Sequence, residues 1–115
     1  MSVRHSGTTR AESKDSAPLF AALGDATRLR LVSRLCDGGP MSITRLTAGS
    51  KITRQAIAKH LRVMEAARLV HSDRRGRERV WQLDQQRLAE ARHYLNLISK
   101  QWDKALGRLR KFVEE

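Results

Sequence analysis

Residues 53–70 read TRQAIAKHLRVMEAARLV, the pattern of an amphipathic helix with a basic outer face. Ile57, Leu61 and Met64 recur at i, i+4 and i+7, the spacing of a buried stripe, while Gln55, Lys59 and Arg62 fall on roughly the opposite side. Thr53 suits an N-cap, so Arg54 and Gln55 occupy the first turn, where a helix entering a groove presents its most protruding side chains. Taken alone, the segment fits a solvated surface helix as well as a binding one. Its neighbours separate the two.

Upstream, Ser42 suits the cap of a short helix with Ile43 and Leu46 facing inward, closed by AlaGlySer at 48–50. A short helix, a glycine-containing turn of about four residues and a longer basic helix make a helix-turn-helix, in which the first helix braces and the second reads the major groove. Downstream the pattern changes to two short β segments, 70–73 and 79–83, joined by ArgArgGlyArgGlu at 74–78. Gly76 permits the positive φ of a tight hairpin, and Val80, Trp81 and Leu83 supply β-formers. Arg74, Arg75, Arg77 and Arg79 crowd this tip, a mutual repulsion that a phosphate backbone or a narrow minor groove would relieve.

Asp84 suits the cap of a last helix reaching about Val113, roughly 45 Å at about 1.5 Å per residue. Leu88, Ala91, Leu95, Ile98, Trp102, Ala105, Leu109 and Phe112 alternate three and four apart, a continuous heptad seam widened by Leu97, Leu106 and Val113. That face is more than a domain of this size covers alone, so it predicts a homodimer made by this helix with the first helix beside it. In the first helix, expected over 17–23 with Pro18 in its opening turn, Leu19, Phe20 and Leu23 form the apolar face, and Leu19 and Phe20 are expected at the dimer interface. Residues 1–16 are polar and read as a disordered arm. Asp25 suits the cap of a second helix, 26–36, whose inward stripe is expected to be Leu29, Val32, Leu35 and a buried Cys36, before AspGlyGlyPro at 37–40 turns the chain. The predicted organisation is an arm (1–16), a DNA-binding domain (17–83) and a dimerisation helix (84–115).

The 115 residues carry 23 Lys plus Arg against 12 Asp plus Glu, and residues 42–83 hold +7 of the net +11. Such concentration argues for a polyanionic partner. With Cys36 alone, no intramolecular disulfide or thiolate cluster forms within one chain. No apolar run approaches the roughly 20 residues of a membrane span, and the start of the chain lacks the apolar core of a signal peptide, so a cytoplasmic protein is expected. No Ser/His/Asp set, paired-carboxylate signature or phosphate-cradling glycine loop marks an enzyme.

The order of these features resembles the ArsR-type winged-helix transcriptional regulators. The carriers are LeuGlyAspAlaThrArg at 23–28, HisLeu at 60–61 with AlaAlaArgLeuVal at 66–70, ArgArgGlyArg at 74–77 and ValTrpGlnLeu at 80–83. The resemblance implies a mainly α fold with a small β-hairpin wing, and a homodimeric repressor that binds double-stranded DNA with the 53–67 helix in the major groove. Two departures stand out: Ala58 where members often carry Ser, and Arg68 where Gly is common before LeuVal. Many such proteins sense metals through a thiolate pair near the third helix, but residues 42–50 contain no Cys, and Glu90 with His93 finds no further ligands to complete a four-ligand site. No metal or cofactor is therefore expected. The sequence points to a sequence-specific regulator that contacts DNA through Thr53, Arg54, Gln55, Lys59, Arg62 and the four hairpin arginines, and dimerises through Leu19, Phe20, Leu88, Leu95, Ile98, Trp102, Leu109 and Phe112. The competing classes are a repressor set by a metal or other effector at an unidentified site, and a non-specific nucleic-acid binder.

Overall fold

The computed structural model describes residues 10–114, with side chains from Lys14 onward. Its elements are α1 (Arg10–Leu23), α2 (Ala26–Gly38), β1 (Met41–Ser42), α3 (Ile43–Thr47), α4 (Arg54–Ala66), β2 (Val70–Arg75), β3 (Glu78–Leu83) and α5 (Gln85–Glu114). The three strands form one antiparallel sheet in the order β1-β3-β2. A mainly helical winged helix with a small sheet is thus the architecture expected. Among the described residues no helix is long and apolar enough to cross a membrane.

One core joins every layer. Leu19 and Ala22 of α1, Leu31 and Leu35 of α2 and Leu46 of α3 meet Ile57, Leu61 and Met64 of α4. Val70, Trp81 and Leu83 of the sheet and Ala91 of α5 complete it. The stripe read from residues 53–70 is therefore the buried face of α4, with Ile57, Leu61 and Met64 all essentially inaccessible.

Side-chain caps fix the helix starts. Asp25 accepts from the Arg28 amide at 3.0 Å, Ser42 from Arg45 at 3.3 Å, Thr53 from Ala56 at 3.1 Å and Asp84 from Arg87 at 3.0 Å. Gly39, at φ 71°, ends α2 with its amide on the Leu35 carbonyl.

Several expectations are corrected. Residues 10–16, assigned to the arm, are the first turns of α1, held because Ser16 is buried and Asp15 meets Arg87; residues 1–9 lie outside the described residues. Pro18 lies inside α1 rather than in its first turn, where both it and Lys14 face solvent, so the lost hydrogen bond leaves a carbonyl that water can reach. Of the stripe expected in α2, Leu35 is in the core and Val32 packs against it, but Leu31 joins them while Leu29 is 52% exposed and Cys36 is exposed, because the core lies toward the Leu31 side of the helix. Leu19, expected against a partner, is fully buried in its own chain's core. β1 was not anticipated: its two residues carry no periodicity, and only pairing of Met41 with Trp81 and Ser42 with Val80 defines it. The strands of the hairpin run two residues closer to the tip on one side and one on the other than the 70–73 and 79–83 segments.

Helix α4 also stops earlier than residue 70. The amide of Leu69 bonds the Met64 carbonyl and that of Arg68 the Glu65 carbonyl, both at 2.9 Å, which is a Schellman ending with Arg68 in the left-handed region at φ 60°. Glycine usually fills that place because a Cβ is strained there. Arg68→Gly is expected to stabilise the fold by about 0.5–1 kcal/mol despite losing a solvent-exposed contact to Asp15; the urea midpoint of the variant against the parent checks it, and an unchanged or lower midpoint refutes it.

Candidate nucleic-acid interface

The first turn of α4 is anchored through Ile57, and its opposite face projects. Arg54, Gln55, Lys59 and Arg62 are all exposed, and 55, 59 and 62 line up one above another on the side away from Ile57, Leu61 and Met64. Thr53 spends its hydroxyl oxygen on the cap. The Arg54 guanidinium donates to the Thr44 hydroxyl of α3 at 3.4 Å, which links the two helices of the helix-turn-helix at their outer ends. Arg45 and Lys51, exposed on α3 and in the turn, add cations that the sequence reading did not single out.

The hairpin closes with Gly76 and Arg77 between the paired residues Arg75 and Glu78, and Gly76 has the expected positive φ, 64°. Register divides the arginines. Arg74 and Arg79 face each other on the side that carries Val70, Trp81 and Leu83, but beyond the edge of the core; Arg75 lies on the other side opposite Glu78, and Arg77 sits at the tip. Two like charges directly opposite are unfavourable in a strand pair. Arg79 is partly restrained by donating to the Ser72 hydroxyl at 2.7 Å, while the outer face is settled by Gln82 donating to Asp73 at 2.8 Å.

Two polar contacts hold α4 from behind. A guanidinium nitrogen of Arg28 lies 3.2 Å from His60 Nδ1, and the same side chain donates through Nε to the Ala22 carbonyl. Hydrogen bonding from the Arg28 amide, helped by the nearby Arg28 charge, holds the Asp25 carboxyl below its usual range. His60 thus orients the helix by hydrogen bonding. The second contact escaped the sequence reading: Arg87, 3% exposed, donates through Nε to the Ala67 carbonyl at 3.1 Å, and through its terminal nitrogens to the Asp15 carbonyl and the Glu90 carboxylate, each at 2.9 Å. It joins the end of α4 to α1 and α5. An arginine in the first turn of a basic helix gives no sequence signal of burial. Among the described residues, no group of three or more His, Cys, Asp or Glu is arranged to hold a metal ion.

On α5, the seam behaves as two parts. Leu88 packs against the core and Ala91 is inside it, and Phe20 of α1 stacks at a tilt on Tyr94 with ring centroids 5.6 Å apart. Beyond these, Leu95, Ile98, Trp102, Leu109 and Phe112 are exposed, Trp102 by 64% and Phe112 by 78%.

A helix-turn-helix domain family matches residues 23–73. The chain is 39% identical over 87 residues to the HTH-type transcriptional regulator Rv2034 of Mycobacterium tuberculosis, covering 76% of this chain and 78% of that protein. Its fold is similar to that of an ArsR-like transcriptional regulator from Rhodococcus sp. RHA1, with a TM-score of 0.80 and 32% identity over 93% of this chain and 97% of the other. It is also similar to the AntR antimony-specific transcriptional repressor, with a TM-score of 0.61 and 28% identity over 83% and 86%.

Replacing Arg87 by Met keeps the aliphatic bulk and leaves the Ala67 and Asp15 carbonyls without their donor. The expected cost is about 2 kcal/mol, read from urea unfolding at fixed protein concentration; a loss below about 0.5 kcal/mol would show that water replaces the guanidinium freely.

Proposed function

The chain belongs to the ArsR-type winged helix-turn-helix transcriptional regulators, with a helix-turn-helix for binding DNA, and on that premise we propose that it is a homodimeric cytoplasmic repressor of a pseudo-palindromic operator. The observation that carries the reading is the exposed row Gln55, Lys59 and Arg62 on α4, together with the exposed arginines gathered at the hairpin tip. In this reading α4 enters the major groove. Gln55 suits adenine N6 and N7, Arg54, Lys59 and Arg62 suit guanine or phosphate, Thr53 lies beside the backbone, and Arg74, Arg75, Arg77 and Arg79 hold phosphates or the minor groove as a wing. The repressor sign is supported by the likeness to AntR, an antimony-specific transcriptional repressor. Neither a catalytic step nor a bound cofactor is part of the reading.

The dimer is supported by the apolar surface of α5, which no other described residue covers. Phe20 and Leu88 flank that surface as partly buried residues, and Leu95, Ile98, Trp102, Leu109 and Phe112 form its centre. Two copies related by a two-fold axis require half-sites about one helical turn apart.

With the preferred duplex selected from a random pool, Gln55→Ala is expected to lower affinity about tenfold for that duplex while leaving random DNA nearly unchanged. Replacing Arg74, Arg75 and Arg77 together by Ala weakens all duplexes and lowers the slope of log affinity against log salt by about 3. Equal affinity for every duplex, or no dependence on salt, refutes the reading. Separately, sedimentation should give twice the 13.1 kDa chain mass for the parent and the monomer mass for the double variant Trp102→Glu, Leu109→Glu, with helical circular dichroism retained; a monomeric parent at micromolar concentration refutes the dimer.

A further inference from the structure

Between α2 and the turn of the helix-turn-helix lies a groove of about 360 Å³ whose floor plays no part in the DNA or dimer readings and whose rim shares only Lys51 with the candidate DNA interface. Its floor is apolar: Leu31, Leu46 and Ile57 are almost wholly buried, and Ile52 is partly so. Among the described residues, every ionisable side chain on its walls is cationic, namely Arg30, Arg34 and Lys51. Arg30 and Lys51 are exposed. An apolar floor under an unbalanced positive rim fits a molecule with a hydrocarbon body and an anionic head, and the volume falls in the range of small-molecule sites, roughly 300–1,000 Å³. A DNA phosphate would use the rim alone and leave the floor idle.

We propose that this groove binds a small organic carboxylate, which acts as an effector of DNA binding. The link to DNA is Arg34. Its guanidinium donates to the carbonyls of Arg45 at 2.9 Å and Leu46 at 2.7 Å, and more distantly to that of Ala48, so it satisfies the end of α3. A carboxylate seated among Arg30, Arg34 and Lys51 forms charge-assisted bonds that outcompete neutral carbonyls. It draws Arg34 off the end of α3 and loosens the turn, where Gly49 at φ 72° already occupies the left-handed region. The brace between α3 and the first turn of α4 is weakened as a result, and the charge of Lys51 is neutralised beside the DNA-facing row.

The test uses the full chain without DNA first, titrated calorimetrically with octanoate and phenylacetate and, in parallel, with octanamide and phenylacetamide. Both acids, or one of them, should bind at up to millimolar concentration and the amides should not. The affinity should fall about tenfold, the loss of one charge-assisted contact, in Arg30→Gln and in Lys51→Gln, but not in Arg92→Gln on the exposed surface of α5. Equal binding of acids and amides, binding unaffected by both groove variants, or no binding of either acid overturns the proposal. A short duplex that competes for Arg30 and Lys51 while neither acid binds assigns the rim to DNA phosphate and overturns it as well. The effector role rests on the DNA-binding reading and is read second, as a drop in affinity for the selected duplex when the bound acid is present. Unchanged duplex affinity at saturating acid overturns that role while leaving DNA binding itself standing, and a parent that binds no duplex at all fails the DNA reading, not the site.

Discussion

A guanidinium taken out of water must be bonded on all sides, and Arg87 meets that demand by gathering three parts of the chain. Its partners are the Ala67 carbonyl just after α4, the Asp15 backbone in α1 and Glu90 one turn along α5. None of the three can shift alone without leaving a buried donor or acceptor unpaired, which costs more than the bond contributes when made. The arrangement also explains why α1 starts as early as Arg10: Ser16 is buried and Asp15 is held from two sides, by Arg87 and by Arg68. What composition presents as a polar tail is folded because a distant arginine needs its carbonyl.

The same constraint governs α4. It is pinned at its end by the Schellman turn and Arg87, and in its middle by the Arg28–His60 contact and the buried row of Ile57, Leu61 and Met64. Its first turn is held by the buried Ile57, the Thr53 cap and the Arg54–Thr44 contact. A helix held in this way offers its N-terminal side chains outward on a rigid base, the geometry that precise placement in a groove requires.

Much of the fold was legible because periodicity, caps and turn residues all point the same way. The α4 stripe, the caps at Asp25, Ser42, Thr53 and Asp84, and the positive φ of Gly76 each follow from a local rule that tertiary packing did not override. The failures are those of position rather than kind. The inward face of helix α2 lies a little round from the expected stripe: Val32 and Leu35 pack as expected, but Leu31 packs with them and Leu29 and Cys36 face out, because the positions of α4 and the sheet set which side is covered. Arg68 hides a helix end because the residue that usually announces a left-handed turn is absent. The role of Arg87 was invisible for a related reason: a charged residue in a basic helix reads as surface, and only the carbonyls brought to it by α1 and the α4 end make burial affordable. Of the candidate interface, the exposed row of α4 and the crowding at the hairpin follow from pattern, whereas the restraint of Arg54 by Thr44 and of Arg79 by Ser72 needs the three-dimensional register.

The length of α5 then acquires a physical meaning. Its first turns belong to the core through Ala91 and are tied by Arg87 to the end of α4, while the seam from Leu95 to Phe112 lies open. In the proposed dimer this helix is one continuous rod, about 1.5 Å per residue, with the partner's seam at one part and the reading helix fastened at the other. A helix transmits rotation and displacement along its axis far better than a loop does, so the angle at which two seams cross sets the separation of the two α4 first turns. In that proposed dimer, half-site spacing would follow from the apolar contact, and substitutions that change how Trp102 packs would alter the preferred operator without touching a base.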